Sequence, residues 1–375
     1  MVHYRQAGIG QYAVSLLRAM SESAALGPDD TVDLLQMAGH TRPIVGDPRF
    51  HRIPSRVPPH NRFEQAALSV ELMRLRPRPQ LMHCPDFVPP RLRTFPAVVN
   101  IQDLAFLKFP ELTLLTDESK RYYSQVHWAA HNADALIALS ESARDDVVQL
   151  LGVKRGRVAV IPAAAGARFR PPADPARARL AADSRFGLGP NDGGFILFVG
   201  TIEPRKNLTT LLDAYSLLKA RGSVSPMPVL AVIGQQGWLF EQVYARVEKL
   251  GLQDLVYFLH GVDDKSLPVF YEGARLFALP SIYEGFGIPA LEALASGTPV
   301  VSSNGGSLPE VVGDAGILLD SQDTPAWADA IERVLLDPAL EAQLRQQGPV
   351  QASRFSWERA AQETVSLYRK VLAHR

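Results

Sequence analysis

Two glutamates eight residues apart, Glu284 and Glu292, bracket the stretch of this chain best suited to chemistry. The stretch is Tyr283-Glu284-Gly285-Phe286-Gly287-Ile288-Pro289, continuing to Gly297. Pro289 suits the first turn of a helix, where its missing N–H costs nothing. Gly297 suits the position that stops a helix. The spacing therefore predicts a helix with Glu284 in the loop before it and Glu292 on its first turn. Gly285 and Gly287 let the backbone approach a ligand closely. Helix N–H groups and the positive end of the dipole then face that ligand, which suits phosphate. A carboxylate beside a phosphate site is better suited to accept hydrogen bonds from sugar hydroxyls. Upstream, Gly200-Thr201-Ile202-Glu203-Pro204-Arg205-Lys206-Asn207 follows a strand pattern and opens a helix. It brings Arg205 and Lys206 to the same rim, where two cations would neutralise a diphosphate. Asn304-Gly305-Gly306-Ser307-Leu308-Pro309-Glu310 repeats the glycine-turn logic further on.

The elements that must carry these residues read as two α/β halves. In the second half, apolar runs at 195–199, 229–233, 255–259, 276–279, 300–302 and 317–319 alternate with amphipathic segments. Continuous apolar strands separated by helices imply a parallel sheet covered on both faces. Leu208, Leu211, Leu212, Tyr215 and Leu218 follow the helical spacing of i, i+3, i+4 and i+7. In the first half the expected strands are 32–35, 81–83, 97–101, 135–138 and 158–161. The expected helices are 9–20, 62–75, 119–132 and 141–151, with Ser140 as an N-cap. Arg170 to Pro175, proline-rich, reads as a linker. A final amphipathic helix spans 356–373. The expected domains are 1–170, 176–355, and a helix 356–375 crossing back to the first. Doubly wound sheets bind ligands at the carboxyl ends of their strands, which places the expected site in the cleft between two facing halves. Gly8-Ile9-Gly10 looks like a glycine turn that normally follows a strand. Only seven residues precede Gly8, so the expectation is that the true start lies upstream and the first sheet lacks its central strand.

Composition narrows the function. The 375 residues exceed one ordinary domain. Lys plus Arg is 39 and Asp plus Glu is 39, so the chain is not a broad electrostatic clamp for nucleic acid. The single cysteine, Cys84, excludes an internal disulfide or a cysteine-rich zinc site. No apolar run of spanning length and no signal-peptide core is visible, and the expected location is the cytoplasm. His127 and His131 lie four apart but lack the glutamate of a metal-binding H-E-x-x-H helix. Gly285 to Ala290 also fits a dinucleotide G-x-G-x-x-A pattern, without the tight strand–turn–helix that such a site needs. Positions 49 to 93 hold nine arginines against Glu64, Glu71 and Asp86. This basic patch reads equally as peripheral contact with an anionic membrane or as a solvated face.

The stretch from Glu284 to Glu292 resembles the E-x7-E motif of the retaining glycosyltransferases of family 4, which have the GT-B fold. The resemblance extends over nearly the whole chain. It includes Gly8-Ile9-Gly10, His83-Cys84-Pro85-Asp86, Gln102-Asp103, Gly200 to Asn207, Gly234 to Trp238, Gly261-Val262 and the block from 280 to 310. The Gly200 and Gly234 segments are similar to a subgroup rich in bacterial mannosyltransferases of surface-polysaccharide synthesis. The resemblance implies two facing Rossmann-like, doubly wound parallel-sheet domains with the active site in the interdomain cleft. It implies that Glu292 binds ribose hydroxyls of a nucleotide-sugar donor, GDP- or UDP-linked, and that Glu284 holds the donor sugar. The amides of Gly285, Phe286, Gly287 and Ile288, with Lys206 and Arg205, would hold the diphosphate. Val262 would lie by the nucleobase, and Gly10 would close on the phosphates from the first half. Many relatives carry Arg where Thr201 stands, and His where Gln102 precedes Asp103 on the acceptor side. Gln102 cannot titrate, which leaves sugar identity open. The implied reaction is metal-independent transfer, with no cofactor, to a glycan or lipid-linked acceptor. A nucleotide-sugar epimerase of the same fold and a non-catalytic nucleotide-binding subunit are the alternatives.

Overall fold

The computed structural model describes residues 8–39, 42–57, 64–86, 89–113, 116–117, 120, 123–187 and 193–374. The chain divides into two compact units. Unit 1 comprises Met1–Pro110, Leu115–Ala163 and Ser356–Arg375, and unit 2 comprises Glu111–Leu114 and Ala164–Phe355. Among the described residues, no helix is long and apolar enough to cross a membrane.

Unit 1 holds two sheets. β1 (Val32–Met37) pairs with β2 (Phe50–Ser55). β3 (Met82–Cys84), β4 (Ala97–Asn100), β5 (Ala135–Ala138) and β6 (Val158–Val160) pair in that order, and every pairing is parallel. β4 and β5 are buried at every residue, as strands covered on both faces must be. Helices α1 (Gly8–Glu22), α2 (Glu64–Arg74), α3 (Gln125–Asn132) and α4 (Glu141–Leu151) accompany them. Ser140 caps α4, its Oγ accepting from the Ala143 amide at 3.0 Å. The helix Trp357–Ala373, capped by Ser356, belongs to this unit. Trp357 packs edge-on to Tyr12 of α1 at 5.5 Å, and the Tyr368 hydroxyl meets His83 Nδ1 at 2.5 Å. Burial holds the His83 imidazole down at about 4.

Two readings of this half change, and a third falls outside the described residues. Gly8, Ile9 and Gly10 are the first residues of α1 rather than a turn before it. β2 had no counterpart in the apolar pattern. Its His51 and Arg52 are polar, and Pro54 is tolerated because β2 pairs only with β1, leaving an edge that needs no donor. The seven residues before Gly8, on which the expectation of a missing central strand turns, lie outside the described residues, as do Arg62 and Ser119. The helices expected from 62 and from 119 are described from Glu64 and Gln125.

Unit 2 is one six-stranded parallel sheet. Its strands are β7 (Phe195–Val199), β8 (Val229–Ile233), β9 (Val256–Leu259), β10 (Leu276–Leu279), β11 (Val300–Ser303) and β12 (Ile317–Leu319). They lie in the order β12-β11-β10-β7-β8-β9, which is the doubly wound arrangement with its reversal between β7 and β10. Its helices are α5 (Pro175–Phe186), α6 (Leu208–Arg221), α7 (Phe240–Lys249), α8 (Leu267–Gly273), α9 (Ile288–Ala295), α10 (Leu308–Val312), α11 (Thr324–Leu336) and α12 (Pro338–Ala352). The five apolar positions expected on α6 are all buried. Pro175, read as linker, is instead the first residue of α5. Asp174 Oδ1 caps that helix by accepting from the amides of Ala176 and Arg177, and proline fits a first helical turn.

Candidate functional site

Strands β7 and β10 are neighbours in the sheet, and the chain leaves them toward opposite edges. A doubly wound sheet opens a crevice at the carboxyl ends of such a pair. The loop after β7 carries Gly200 to Asn207, and the loop after β10 carries Pro280 to Gly287. The topology thus brings together two segments nearly eighty residues apart. The Ile282 amide donates to the Arg205 carbonyl at 2.8 Å, tying the loops by their backbones. Asn207, held in the left-handed region at φ 52°, donates from Nδ2 to the Pro280 carbonyl.

The side chains at this junction form one charged cluster. Lys206 Nζ donates to Glu284 Oε1 at 2.5 Å, and Ser281 Oγ donates to the same oxygen at 2.6 Å. Arg205 Nη1 donates to Glu284 Oε2 at 3.2 Å and to the Tyr283 carbonyl at 2.8 Å, while Nη2 donates to Glu203 Oε1 at 2.8 Å. Glu203, Lys206 and Glu284 are buried. Burial alone would push the Glu284 carboxyl up. Lys206, Arg205 and the two hydrogen bonds outweigh it and hold the group down at about 2. Burial pushes Glu203 up, against the pull of Arg205 and Lys206. Two carboxylates and two cations therefore balance at the switch point of the sheet.

α9 begins immediately after this loop. Gly287 precedes it in the left-handed region at φ 94°, and the helix's hydrogen bonding opens with Ala290 N and Leu291 N donating to Gly287 O. Glu292 is the fifth residue of α9, so it stands in the second turn rather than the first. That displacement takes it to a different partner: the Tyr271 hydroxyl donates to Glu292 Oε2 at 3.1 Å. Burial raises the Glu292 carboxyl to about 8, against the hydrogen bond from Tyr271 and the nearby charge of Arg168. Arg168 lies over the Phe169 ring at 4.8 Å, and Phe169 meets Tyr271 edge-on at 5.5 Å.

The glycine turn at 304–306 serves packing. A Cβ on Gly306, which has φ 62°, would overlap the Glu284 carbonyl oxygen. The Ser307 amide and hydroxyl both donate to that same carbonyl at 3.0 Å. The second glycine turn thus braces the first loop from behind.

Among the expected residues, Arg205, Lys206 and Glu284 are in direct contact, and Gly285, Phe286, Gly287 and Ile288 follow in the same loop and helix start. Thr201 is exposed beside them, and Ile202 bridges to Gln236 in the loop after β8. Val262 follows β9, at the far edge of the sheet from β12. Gly10, Gln102 and Asp103 belong to unit 1. Gln102 Nε2 donates to the Pro85 carbonyl at 3.2 Å, and Asp103 Oδ1 accepts from the Ala105 amide at 3.1 Å. Sequence reasoning missed Glu203, Ser281 and Tyr271. Glu203 and Ser281 sit beside strand ends already singled out. Tyr271 had no signal, because an i+21 partnership across two helices leaves no spacing to read.

Comparison with known proteins follows the same division. Residues 182–351 match the family described as glycosyl transferases group 1, and residues 7–164 match the glycosyl transferase 4-like domain. The O-antigen chain mannosyltransferase B of Escherichia coli is 30% identical over 98% of this chain and 97% of its own. A D-inositol 3-phosphate glycosyltransferase of Corynebacterium urealyticum is 35% identical over 68% of this chain and 60% of its own length. Among solved structures, sucrose-phosphate synthase from Thermosynechococcus elongatus superposes with a TM-score of 0.78 at 25% identity, covering 98% of this chain and 94% of that one. Anabaena HepE superposes at 0.73 and 16% identity, over 97% and 96%. With both halves matched and one relative aligned along nearly the full length of both chains, the protein belongs to the group 1 glycosyltransferases and has the GT-B fold.

Proposed function

We propose that this glycosyltransferase moves a hexose, mannose first among candidates, from a nucleoside-diphosphate sugar to a hydroxyl of a glycan or lipid-linked acceptor, in surface-polysaccharide synthesis. The observation that carries the reading is the meeting of Lys206, Arg205 and Glu284 at the switch point of the donor-type sheet, immediately before the glycine-led start of α9. The E. coli relative, named as a mannosyltransferase of O-antigen chains, favours mannose and that class of product.

In this reading Lys206 and Arg205, with the amides from Gly285 to Ile288, receive the diphosphate. Glu284 accepts hydrogen bonds from the sugar and Glu292 from the ribose, while Thr201 and Val262 flank the nucleotide. Gly10 is assigned to the donor phosphates, and Gln102 and Asp103 to the acceptor side. The acceptor oxygen bonds to the anomeric carbon as the bond from that carbon to phosphate oxygen breaks. The diphosphate leaves with the electron pair, a phosphate oxygen takes the acceptor proton, and configuration is retained. Fixed cations and amides stabilise the charge on the leaving group without reorganising, the most economical form of electrostatic catalysis. No metal is needed for that charge balance.

Calorimetric titration with GDP, UDP and ADP in EDTA, on the wild type and Glu292→Ala, tests the donor site. Tight binding of one nucleotide, lost in the variant, is expected. Binding of none sinks the reading. Transfer of radiolabelled sugar to an acceptor glycan then separates a transferase from a binding subunit.

A further inference from the structure

The two glutamates of the site keep different company. Glu284 is bonded by two cations, Lys206 and Arg205. Glu292 is bonded by a neutral group, the Tyr271 hydroxyl at 3.1 Å. A carboxyl in the protein interior is costly to ionise without a cation near it. Yet the ionised form is the one that accepts most strongly from hydroxyls. Among the described groups that act on Glu292, Arg168 brings the single positive charge.

Arg168 is placed by a turn and a ring. The Phe169 amide donates to the Gly166 carbonyl at 2.9 Å, closing a tight turn that includes Arg168. Phe169 is buried and meets the buried Tyr271 edge-on at 5.5 Å. The Arg168 side chain is exposed, but its guanidinium lies over the Phe169 ring at 4.8 Å, within reach of a cation–π contact. The ring thus anchors the cation beside the Tyr271–Glu292 pair, and its charge acts on both members. Asp264, in the loop after β9, opposes it at Glu292. α9 itself carries no other charged residue. Of the helices packed on α9, α12 carries Arg345, which is bonded to Glu341 and to the Gly297 carbonyl. α10 carries the exposed Glu310. α8 carries Glu272, on which Arg170 acts.

We infer that Arg168 is a positioning residue of the donor site: seated on Phe169, its cation lets Glu292 meet the ribose as a carboxylate. The inference rests on the reading of Glu292 as the ribose partner. Without Arg168 the carboxyl would hold its proton to a higher pH, and a nucleotide binding near neutrality would expel that proton at greater cost. A solvated arginine on a surface turn would do none of this.

The test compares the wild type with Arg168→Gln and Arg168→Lys. The probe is whichever of GDP, UDP and ADP binds the wild type, titrated from about pH 6 to about 9.5, either side of the Glu292 transition at about 8. Taking the ratio of variant to wild-type dissociation constants at each pH cancels the titration of the nucleotide itself. For Arg168→Gln the ratio should be about ten at pH 7 and should close toward one by about pH 9.5, where both carboxyls are largely ionised. Arg168→Lys keeps the charge and should follow the wild type. A ratio that does not change with pH would mean that Arg168 touches the nucleotide directly, and a ratio of one throughout would make it a solvated charge. Either result overturns the inference. Urea unfolding of the free protein gives a second readout. The stability of the wild type should level off above about pH 8, whereas that of Arg168→Gln should go on falling beyond it; coincident profiles overturn the inference. If no nucleotide binds the wild type, the donor reading fails, and the urea profiles still decide whether Arg168 governs Glu292.

Discussion

Glu284 and Glu292 belong to one motif, yet their surroundings drive them in opposite directions. Glu284 is held at about 2 by two cations, below the ordinary 4.5. Its ionised form is worth on the order of 3 kcal/mol to the fold. That stability is fully present above pH 4.5 and is lost as the pH falls toward 2. Acid melts of the wild type and Glu284→Gln should therefore converge over that window; parallel curves would contradict the assignment. Glu292 is raised to about 8. Between pH 4.5 and 8 the folded state keeps a proton that the unfolded state has released, so stability declines with rising pH across that window and levels off above it. Glu292→Gln should remove that slope. If ribose hydroxyls bind the carboxylate, nucleotide binding at pH 7 must expel this proton. The measured heat should then change between buffers of different ionisation enthalpy, and should not in Glu292→Gln. Lys206→Met leaves two buried carboxylates with one cation. A loss of about 3–5 kcal/mol in urea unfolding is expected, together with loss of transfer.

At the scale of elements, glycines with left-handed backbones divide into two kinds. Gly152, the C-cap of α4, has φ 66° with open space around it. Gly306 has a similar φ but abuts the Glu284 carbonyl. Gly152→Ala should cost only the left-handed strain, about 1–2 kcal/mol. Gly306→Ala should cost clearly more in denaturant melts and also weaken nucleotide binding, because the loop bearing Glu284 must shift. Equal costs would mean that the brace is unimportant. The same contrast explains what the sequence made legible. Strands buried on both faces, such as β7 and β8, are unbroken apolar runs, and their bounds were readable to the residue. β2 is an edge strand whose His51, Arg52 and Pro54 spell no pattern. α5 hid behind Pro175, since proline both ends and begins helices and only the Asp174 cap distinguishes the two. In the site, Arg205, Lys206 and Glu284 were readable from their positions after strand ends. The bracing by Glu203, Ser281 and Ser307 was not, because it depends on β7 and β10 being neighbours, and strand order is invisible in a linear pattern.

For the whole molecule, the division into units predicts separable responses. Nucleotide should stabilise unit 2 by about 2.7 kcal/mol at a hundredfold excess over its dissociation constant. Tyr368→Phe strands His83 Nδ1 in a buried site and should lower the stability of unit 1 by about 1–3 kcal/mol. Scanning calorimetry should show the two changes in different transitions; a single transition moved by both would refute the separation. The placement of Trp357–Ala373 against α1 reaches beyond stability, to the order of events during synthesis. Every residue of unit 2 leaves the ribosome before the helix that closes unit 1. The six-stranded sheet of unit 2 can be complete while unit 1, begun earlier, still lacks the partner for Tyr12 and His83. Translation usually favours the domain nearer the start of the chain; here the unit that starts first is the last to be finished.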